Sequence, residues 1–375
     1  MGIDPLFLIL AVLPMAAWWS GWRLGRNQAS TDKKPGSAWR SATKWRWLNG
    51  WSEYNDAHHF QLWIGQMFRF RGETRQAIET HKAIADHPEV GTDIRDDAML
   101  ELAQDYLNAG LLDWAEHIYN KLMRNRQLEC ASLKGLLQIY EQEKEWSKAI
   151  FTAERLQSLT RNPMLQVIIA HYLCEQAEHY VVMGQRGDAL EFLKRSLEKN
   201  PTHVRAHLMR GRLLLELGEV SRAQEALVKA LHDDTRYIGE ILPALIRCSQ
   251  VQNQPQFWLS QLQGLASVEF GGAFVFKALQ DSDHGKMDAD QIQYIETRWL
   301  LEYPSLSAVV EFIRLRKSCP EDVQADTLSM VEDALEKLVD KVYSYKCNSC
   351  GFMAKHLHWQ CPSCKDWNTI LPSSN

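Results

Sequence analysis

The sequence predicts an all-α protein of three parts: one N-terminal transmembrane helix, a solenoid of paired helices and a small C-terminal metal knuckle. Three observations predict it. An uncharged apolar run opens the chain, a glycine–alanine pattern recurs through its middle, and two Cys-x-x-Cys motifs lie near its end. The 375 residues carry a net charge of −5 and basic residues cluster only beside the apolar run, so the composition does not indicate a nucleic-acid-binding protein.

The apolar run, residues 5–22, predicts a membrane anchor over residues 1–22. As a helix it would be about 27 Å long, which is about the thickness of a hydrocarbon core. Arg23 and Arg26 follow the run, and no basic residue precedes it. Because Lys and Arg stay on the cytoplasmic side, we expect the N-terminal tail outside and residues 23–375 in the cytoplasm. A cleaved signal peptide is the alternative, but it would have a basic residue before the run and a small-residue cleavage site after it.

Residues 23–57 are predicted to form a juxtamembrane tether, because Ser30, Pro35 and Gly36 favour irregular backbone. The tether is rich in tryptophan, and we expect these side chains to pack on the membrane surface or on the first repeat. They are Trp39, Trp45, Trp47 and Trp51.

A glycine followed five residues later by an alanine recurs through residues 58–237. The copies are Gly72/Ala77, Gly110/Ala115, Gly184/Ala189 and Gly218/Ala223, with Lys144/Ala149 as a fifth that lacks the glycine. Successive alanines are 38, 34, 40 and 34 residues apart, close to the period of tetratricopeptide repeats. Each copy predicts two antiparallel helices, because glycine ends the first helix and the small alanine lets the second approach closely. An irregular helical bundle is the alternative.

Residues 238–342 keep a helical apolar spacing but lose the glycine–alanine signature. They predict degenerate helix pairs and a capping helix that continue the solenoid. No nucleophile, base and acid stand at a spacing that indicates catalysis, so the sequence does not predict an enzyme. Asp281 and Asp283 superficially resemble a calcium loop, but the following glycine falls one place early and Ile292 occupies the bidentate ligand position.

The chain ends in two knuckles, Cys347-x-x-Cys350 and Cys361-x-x-Cys364. Four thiolates at this spacing give the tetrahedral cage of soft ligands that zinc and iron both accept. Two disulfides are the alternative, but a reducing cytoplasm disfavours them. So short a segment cannot bury enough apolar surface to fold alone, and we expect metal binding to supply most of its stability.

Aromatic residues flank the knuckles and are expected to form the small apolar core of this domain: Tyr345, Phe352, Trp359 and Trp367. Four further cysteines stand singly in helical patterns and are expected to be small buried hydrophobes: Cys130, Cys174, Cys248 and Cys319.

With these features the chain resembles the lipopolysaccharide assembly protein B family of Gram-negative bacteria, over nearly its whole length. The order of anchor, repeats and cysteine knuckles is shared, and so are short stretches of sequence. These are the pair Gly25-Arg26 and the segments 68–73, 106–111, 137–140, 145–150 and 350–364.

The resemblance implies an inner-membrane adaptor with a periplasmic N-terminus. Family members bring the LpxC deacetylase to the membrane protease FtsH and thereby restrain lipopolysaccharide synthesis. The further partners that it implies are an inner-membrane regulator of the PbgA type and the lipopolysaccharide export machinery. It also implies a rubredoxin-like domain over residues 343–372 with four metal ligands, and favours one iron ion over zinc. The ligands would be Cys347, Cys350, Cys361 and Cys364.

Two departures from the family stand out. Residues 37–57 are shorter than the family's first repeat, and Lys365 replaces a glycine of rubredoxins, which we expect to weaken one backbone contact to sulfur. We hypothesise that the metal is structural and docks the knuckle against the last repeats. A membrane-bound electron carrier or redox sensor, and a scaffold for lipopolysaccharide export, are the alternative functions.

Overall fold

The structure is a computed structural model, and it describes residues 55–254, 257–263, 275, 306–317 and 345–372. These residues belong to one compact unit, Trp51–Asn375. The predicted anchor and nearly all of the predicted tether lie outside the described residues. Among the described helices, none is both long and apolar enough to cross a membrane.

Five antiparallel helix pairs follow one another between residues 55 and 233. They are α1 Asn55–Phe70 with α2 Thr74–Ala85, α3 Thr92–Asn108 with α4 Leu112–Leu122, α5 Glu129–Glu143 with α6 Trp146–Thr160, α7 Met164–Val182 with α8 Arg186–Lys199, and α9 Val204–Glu216 with α10 Val220–Asp233. Each helix packs chiefly on its neighbours in the chain, which is the nearest-neighbour packing of a solenoid. The prediction of a tetratricopeptide-type solenoid is confirmed, and this regular pairing excludes the irregular bundle.

The turn inside each pair has one geometry. In the second pair, Gly110 takes a φ of +75° and donates its amide to Leu107 O, while the Leu111 amide donates to Tyr106 O at 2.9 Å. These two bonds satisfy carbonyls that the helix end would leave unpaired. Gly72, Gly184 and Gly218 repeat the pattern.

The copy without a glycine adopts the same turn. Lys144 lies in the left-handed region at a φ of +57°, and the Glu145 amide donates to Tyr140 O as in the other pairs. The alanine that follows each turn is completely buried, in keeping with the close approach of the second helix that the pattern predicts. These alanines are Ala77, Ala115, Ala149, Ala189 and Ala223.

A sixth pair follows a short 3₁₀ turn, Thr235–Tyr237, and consists of α11 Ile238–Val251 and α12 Phe257–Gln263. Its turn residue is Asn253 at a φ of +51°, and the Gln254 amide donates to Ser249 O. Five residues after Asn253, at the alanine position, stands the buried Trp258. The sequence predicts a degenerate pair here, and the structure shows that the turn is kept while both signature residues are replaced. Helix α13, Leu306–Lys317, is described further along the chain.

A buried ionic network ties α1 and α2 to α3. Asp105, completely buried, accepts from Arg69 Nη1 at 2.7 Å and contacts His81 Nδ1 at 2.5 Å. Arg69 also pairs with Glu101, and His81 Nε2 lies 3.1 Å from the carbonyl oxygen of Leu62. The positive charge of Arg69 is therefore balanced by carboxylates inside the first repeats.

The C-terminal knuckle is a three-stranded antiparallel sheet. Strand β1, Tyr345–Cys347, lies between β2, Met353–Ala354, and β3, Ile370–Pro372. In the register, Tyr345 faces Ala354, and Cys347 faces Ile370. Strand β1 ends at Cys347 and so fixes the start of the first cysteine turn, and strand β3 begins after the second cysteine turn.

Candidate metal centre

The four predicted ligands converge at one end of the knuckle. Cys347 ends β1, Cys350 lies in the turn that follows, and Cys361 and Cys364 lie in the turn between β2 and β3. The four sulfur atoms lie within 4.8 Å of one another, with 3.7 Å between Cys347 and Cys364 and 3.7 Å between Cys350 and Cys361. A disulfide would need about 2.05 Å. A tetrahedral ion with bonds of about 2.3 Å would place its sulfurs about 3.8 Å apart, so the spacing fits a metal centre.

The two knuckles have matching backbones. The Gly351 amide donates to Cys347 O at 2.9 Å, and the Lys365 amide donates to Cys361 O at 2.9 Å. Gly351 has a φ of +79° and Lys365 a φ of +61°. Lysine therefore takes the left-handed conformation that glycine takes in the first turn, and the second turn keeps its geometry. The expected weakening of a backbone contact to sulfur stays a prediction.

Hydrogen bonds prepare Cys347 for a metal. Burial raises the pKa of its thiol, but hydrogen bonds to Thr369 and from the amides of Cys350 and Ser349 lower the pKa to about 6. At Cys361 the effect of burial outweighs that of the hydrogen bonds, and the pKa of the thiol is raised. A metal ion would bind the four cysteines as thiolates, because thiolates are the binding form.

Trp367 docks the knuckle onto the solenoid. Its indole Nε1 donates to Glu141 on α5 at 2.9 Å. Its ring stacks on His171 at 5.0 Å between centroids and meets Tyr172 edge-on at 5.8 Å, both on α7, while Trp146 on α6 packs at 6.3 Å. A tryptophan three residues after the last cysteine therefore joins the metal loop to the third and fourth helix pairs.

Glu141 is the polar centre of this contact. Burial raises the pKa of its carboxyl group, and hydrogen bonds from Tyr172 and Trp367 lower it part of the way back. The carboxylate is therefore held in a half-buried site by donors from both sides of the seam. Removing either donor would leave it short of a partner in a place where water is scarce.

A second group of contacts runs along α9 and α11. Trp359 packs on Tyr237 at 5.2 Å between ring centroids, and the Arg205 guanidinium lies 5.9 Å from the Trp359 ring centre. The hydroxyl of Tyr345 donates to Glu240 at 3.1 Å. The knuckle thus contacts helices from α5 to α11, a wider area than the last repeats alone.

This docking corrects one expectation. Trp359 and Trp367 do not fill the core of the knuckle, because they pack outward on the solenoid. The core is formed by Tyr345, Ala354 and Ile370 around two of the cysteines, with Phe352 and Leu357 packed beside them.

A histidine pair lies beneath the docked knuckle. Ser196 Oγ donates to Ala170 O, so it accepts from His203 Nδ1 at 3.2 Å. His203 Nε2 must then accept from His171 Nε2 at 3.3 Å, and both rings are neutral. Burial lowers the pKa of His203 to about 3 and lowers the pKa of His171 well below its usual value. No local sequence pattern marks His171 as part of a site.

The other cysteines lie apart from the knuckle. Cys174 and Cys248 are buried, as expected, Cys130 is half-buried, and Cys319 lies outside the described residues. Burial raises the pKa of Cys174 to about 11, so its thiol is unreactive. Across the part of the chain that the structure describes, the four knuckle cysteines are the only group of three or more side chains placed to hold a metal.

Two family models match parts of the chain. Residues 345–372 match the model of a rubredoxin metal binding domain, and residues 183–238 match that of a tetratricopeptide repeat. The four cysteines therefore form a rubredoxin-like metal-binding site. In solved structures, the chain is similar to the crystal structure of MamA protein, at 20% identity and a TM-score of 0.35 over 49% of this chain and 94% of that one.

Two curated relatives extend over almost the full length. Lipopolysaccharide assembly protein B of Haemophilus influenzae is 27% identical over 402 residues, covering 100% of this chain and 99% of that protein. Lipopolysaccharide assembly protein B of Escherichia coli K12 is 30% identical over 385 residues, covering 98% of each. On this full-length similarity, the chain belongs to the lipopolysaccharide assembly protein B family.

Proposed function

We propose that this protein is an adaptor of the inner membrane that restrains lipopolysaccharide synthesis. In this role it brings the LpxC deacetylase to the FtsH protease, without catalysing a reaction itself. Its relatives are named for lipopolysaccharide assembly, and a helical-repeat solenoid offers an extended surface for binding other proteins.

The observation that carries the proposal is the way the metal knuckle is built into the solenoid. Trp359 and Trp367, which flank the second pair of cysteines, are both committed to contacts with the repeats. The metal would hold the two cysteine turns in place, and the turns hold these side chains against α5, α7 and α9. In this proposal the ion has a structural role, and either iron or zinc would serve through Cys347, Cys350, Cys361 and Cys364.

The proposed location follows from the N-terminal residues. Residues 5–22 would anchor the chain in the inner membrane with a periplasmic N-terminus, and Arg23 and Arg26 would keep the repeats in the cytoplasm. There the solenoid would meet FtsH, a PbgA-type regulator and the lipopolysaccharide export machinery.

The test is the half-life of LpxC in cells depleted of this protein while FtsH stays active. The proposal predicts a longer half-life, restored by the wild-type gene. A strain that also lacks FtsH activity is the control, because depletion should then add nothing. An unchanged half-life with FtsH active would reject the adaptor role and favour export scaffolding or redox sensing.

A further inference from the structure

The outer face of α1 carries a row of large apolar side chains. Phe60, Trp63, Met67 and Phe70 have 59%, 44%, 42% and 81% of their surface exposed. Their spacing of three, four and three residues places them on one side of a helix. The first two rings stack on each other at 5.8 Å between centroids.

The opposite side of α1 already has its partners. Leu62 is buried in the core between the first helices, and a Cβ atom at Gly65 would come within 2.3 Å of the His81 ring. Arg69 turns inward to Glu101 and Asp105. Helix α1 therefore has one face inside the solenoid and one large apolar face that is left open. A large apolar patch on the surface of a folded domain normally marks a binding site.

The charges around this face favour lipid over a protein helix. From residue 57 to residue 70 the only formally charged side chain is Arg69, which faces inward. A helix–helix seam is usually flanked by charged residues that select the partner, and this face has none within its length. Beyond its C-terminal end stand Arg71 and Arg75, each strongly exposed in a surface ion pair of the kind that contributes little. Aromatic residues and methionine edged by arginine match the interfacial zone of a bilayer.

The position of α1 in the chain supports the same partner. It begins at Asn55, and 32 residues separate it from the end of the predicted anchor at Trp22. A chain of this length reaches at most about 110 Å even when fully extended. With the anchor in the bilayer, this limit would keep the face at a raised effective concentration near the membrane surface.

We propose that this face of α1, formed by Phe60, Trp63, Met67 and Phe70, docks on the cytoplasmic surface of the membrane. The aromatic rings enter the boundary between headgroups and acyl chains, and Arg71 and Arg75 contact anionic headgroups. The proposal rests on the membrane anchoring put forward under Proposed function, and it makes the first repeat a second point of membrane attachment.

The test uses full-length protein in inner membranes, with a photoreactive benzoyl-phenylalanine placed at Phe60. Phe151 on α6, which is 69% exposed, takes the same substitution as a matched control. Both sites are solvent-exposed in the solenoid, so neither substitution should disturb folding. After illumination, mass spectrometry identifies what is attached to each site. The proposal predicts phospholipid adducts several-fold more abundant at Phe60 than at Phe151.

Other products would overturn the proposal. Attachment of Phe60 mainly to a second copy, to another protein or to the chain's own tether would identify a different occupant, and equal lipid labelling at both sites would show no preference for α1. Fractionation of the same samples separates the two levels of inference. Protein that stays with the membrane but gives no lipid adduct at Phe60 contradicts only the docking of α1, whereas protein that leaves the membrane fraction contradicts the anchor as well.

Discussion

At the scale of single residues, close helix contacts depend on the absence of a side chain. A Cβ atom at Gly135 would lie 2.2 Å from Cζ of the buried Tyr119 ring. We expect Gly135→Ala to lower the free energy of unfolding by about 1–3 kcal/mol, because the ring cannot move away in a packed core. Urea unfolding measures the change.

Gly91 provides the matched control. It precedes α3 at a φ of −58°, and a Cβ atom there would meet nothing within 4 Å. Gly91→Ala should therefore change the free energy of unfolding by less than about 1 kcal/mol, because alanine restricts the unfolded chain but is a poorer N-cap residue than glycine. Equal losses from the two substitutions would contradict the packing described at Gly135.

The left-handed backbone conformation of Lys365 leads to a second prediction. A non-glycine residue in the left-handed region costs about 1 kcal/mol or more, so Lys365→Gly should stabilise the metal-bound knuckle by about 1 kcal/mol. Competition with a chelator would measure this as tighter metal retention. Gly351→Lys, which makes the opposite change in the first turn, should loosen the metal. Weaker metal binding by Lys365→Gly would show that the lysine side chain itself contributes.

Single residues also show where sequence reasoning succeeded. The turn glycines and the buried alanines were predictable, because a left-handed turn and a close crossing admit few residue types. The sixth pair was predicted only as a degenerate pair, because Asn253 and Trp258 take those two places. Among residue types, asparagine is second only to glycine in tolerating the left-handed region, so Asn253 was a usable signal for the turn. Trp258 was not, since nothing local indicates that a tryptophan occupies an alanine position.

At the scale of elements, the seam between knuckle and solenoid depends on the pair Trp367 and Glu141. Trp367→Phe keeps an aromatic ring but removes the indole donor and part of the packed surface, so the half-buried carboxylate of Glu141 loses a partner. We expect a loss of about 1–3 kcal/mol in the free energy of unfolding at neutral pH. Equilibrium unfolding of the metal-loaded protein measures it.

The loss should depend on pH in a defined direction. Burial raises the pKa of Glu141 in the folded protein, and removing the Trp367 donor raises the pKa further. A group with a raised folded pKa favours folding below its unfolded pKa and loses that contribution as pH rises. The cost of Trp367→Phe should therefore be largest at neutral pH and shrink towards pH 5. With Glu141→Gln as background this pH dependence should disappear, and a cost that is constant with pH would contradict the role of the carboxylate.

The neutral histidine pair predicts acid sensitivity. His203 has a folded pKa of about 3 against an ordinary value of 6.5, so stability is present above pH 6.5 and is lost as pH falls below it. His203→Gln should reduce the dependence of the free energy of unfolding on pH by up to about 1.4 kcal/mol per pH unit. This change in slope is separate from any loss of stability that the substitution causes at pH 7. Unfolding between pH 7 and 5.5 gives the slope. His117→Gln, on the exposed side of α4, is the control, and an equal effect there would contradict the assignment to the buried pair.

Docking of the knuckle on the repeats was hypothesised from the sequence, but the residues that form the seam could not be predicted. The ligand set was predictable because the cysteine spacing is local and specific to metal sites. The contacts that dock the knuckle join residues far apart, with 226 positions between Trp367 and Glu141 and 131 between Asn368 and Tyr237. No periodicity connects such positions. The tryptophans beside the cysteines could be read only as apolar, so their outward direction came from the structure.

At the scale of the whole molecule, metal binding, knuckle folding and docking are linked. Removing the metal should unfold the knuckle and expose the surfaces of α7 and α9 beneath it. Hydrogen exchange should then speed up in peptides from these helices, while peptides from α1 and α2, at the other end of the described repeats, serve as the internal control. Cys347→Ser with Cys361→Ser should have the same effect. Unchanged exchange in α7 and α9 would contradict the linkage.

The central claim is that the metal acts structurally in an adaptor. The most direct measurement is the rate at which FtsH degrades LpxC in reconstituted membranes containing full-length protein loaded with either zinc or iron. Zinc does not change oxidation state, so a structural site predicts equal rates with the two metals and a fall in rate when the metal is removed. Degradation that is supported by iron but not by zinc would contradict the account and assign the site to redox chemistry.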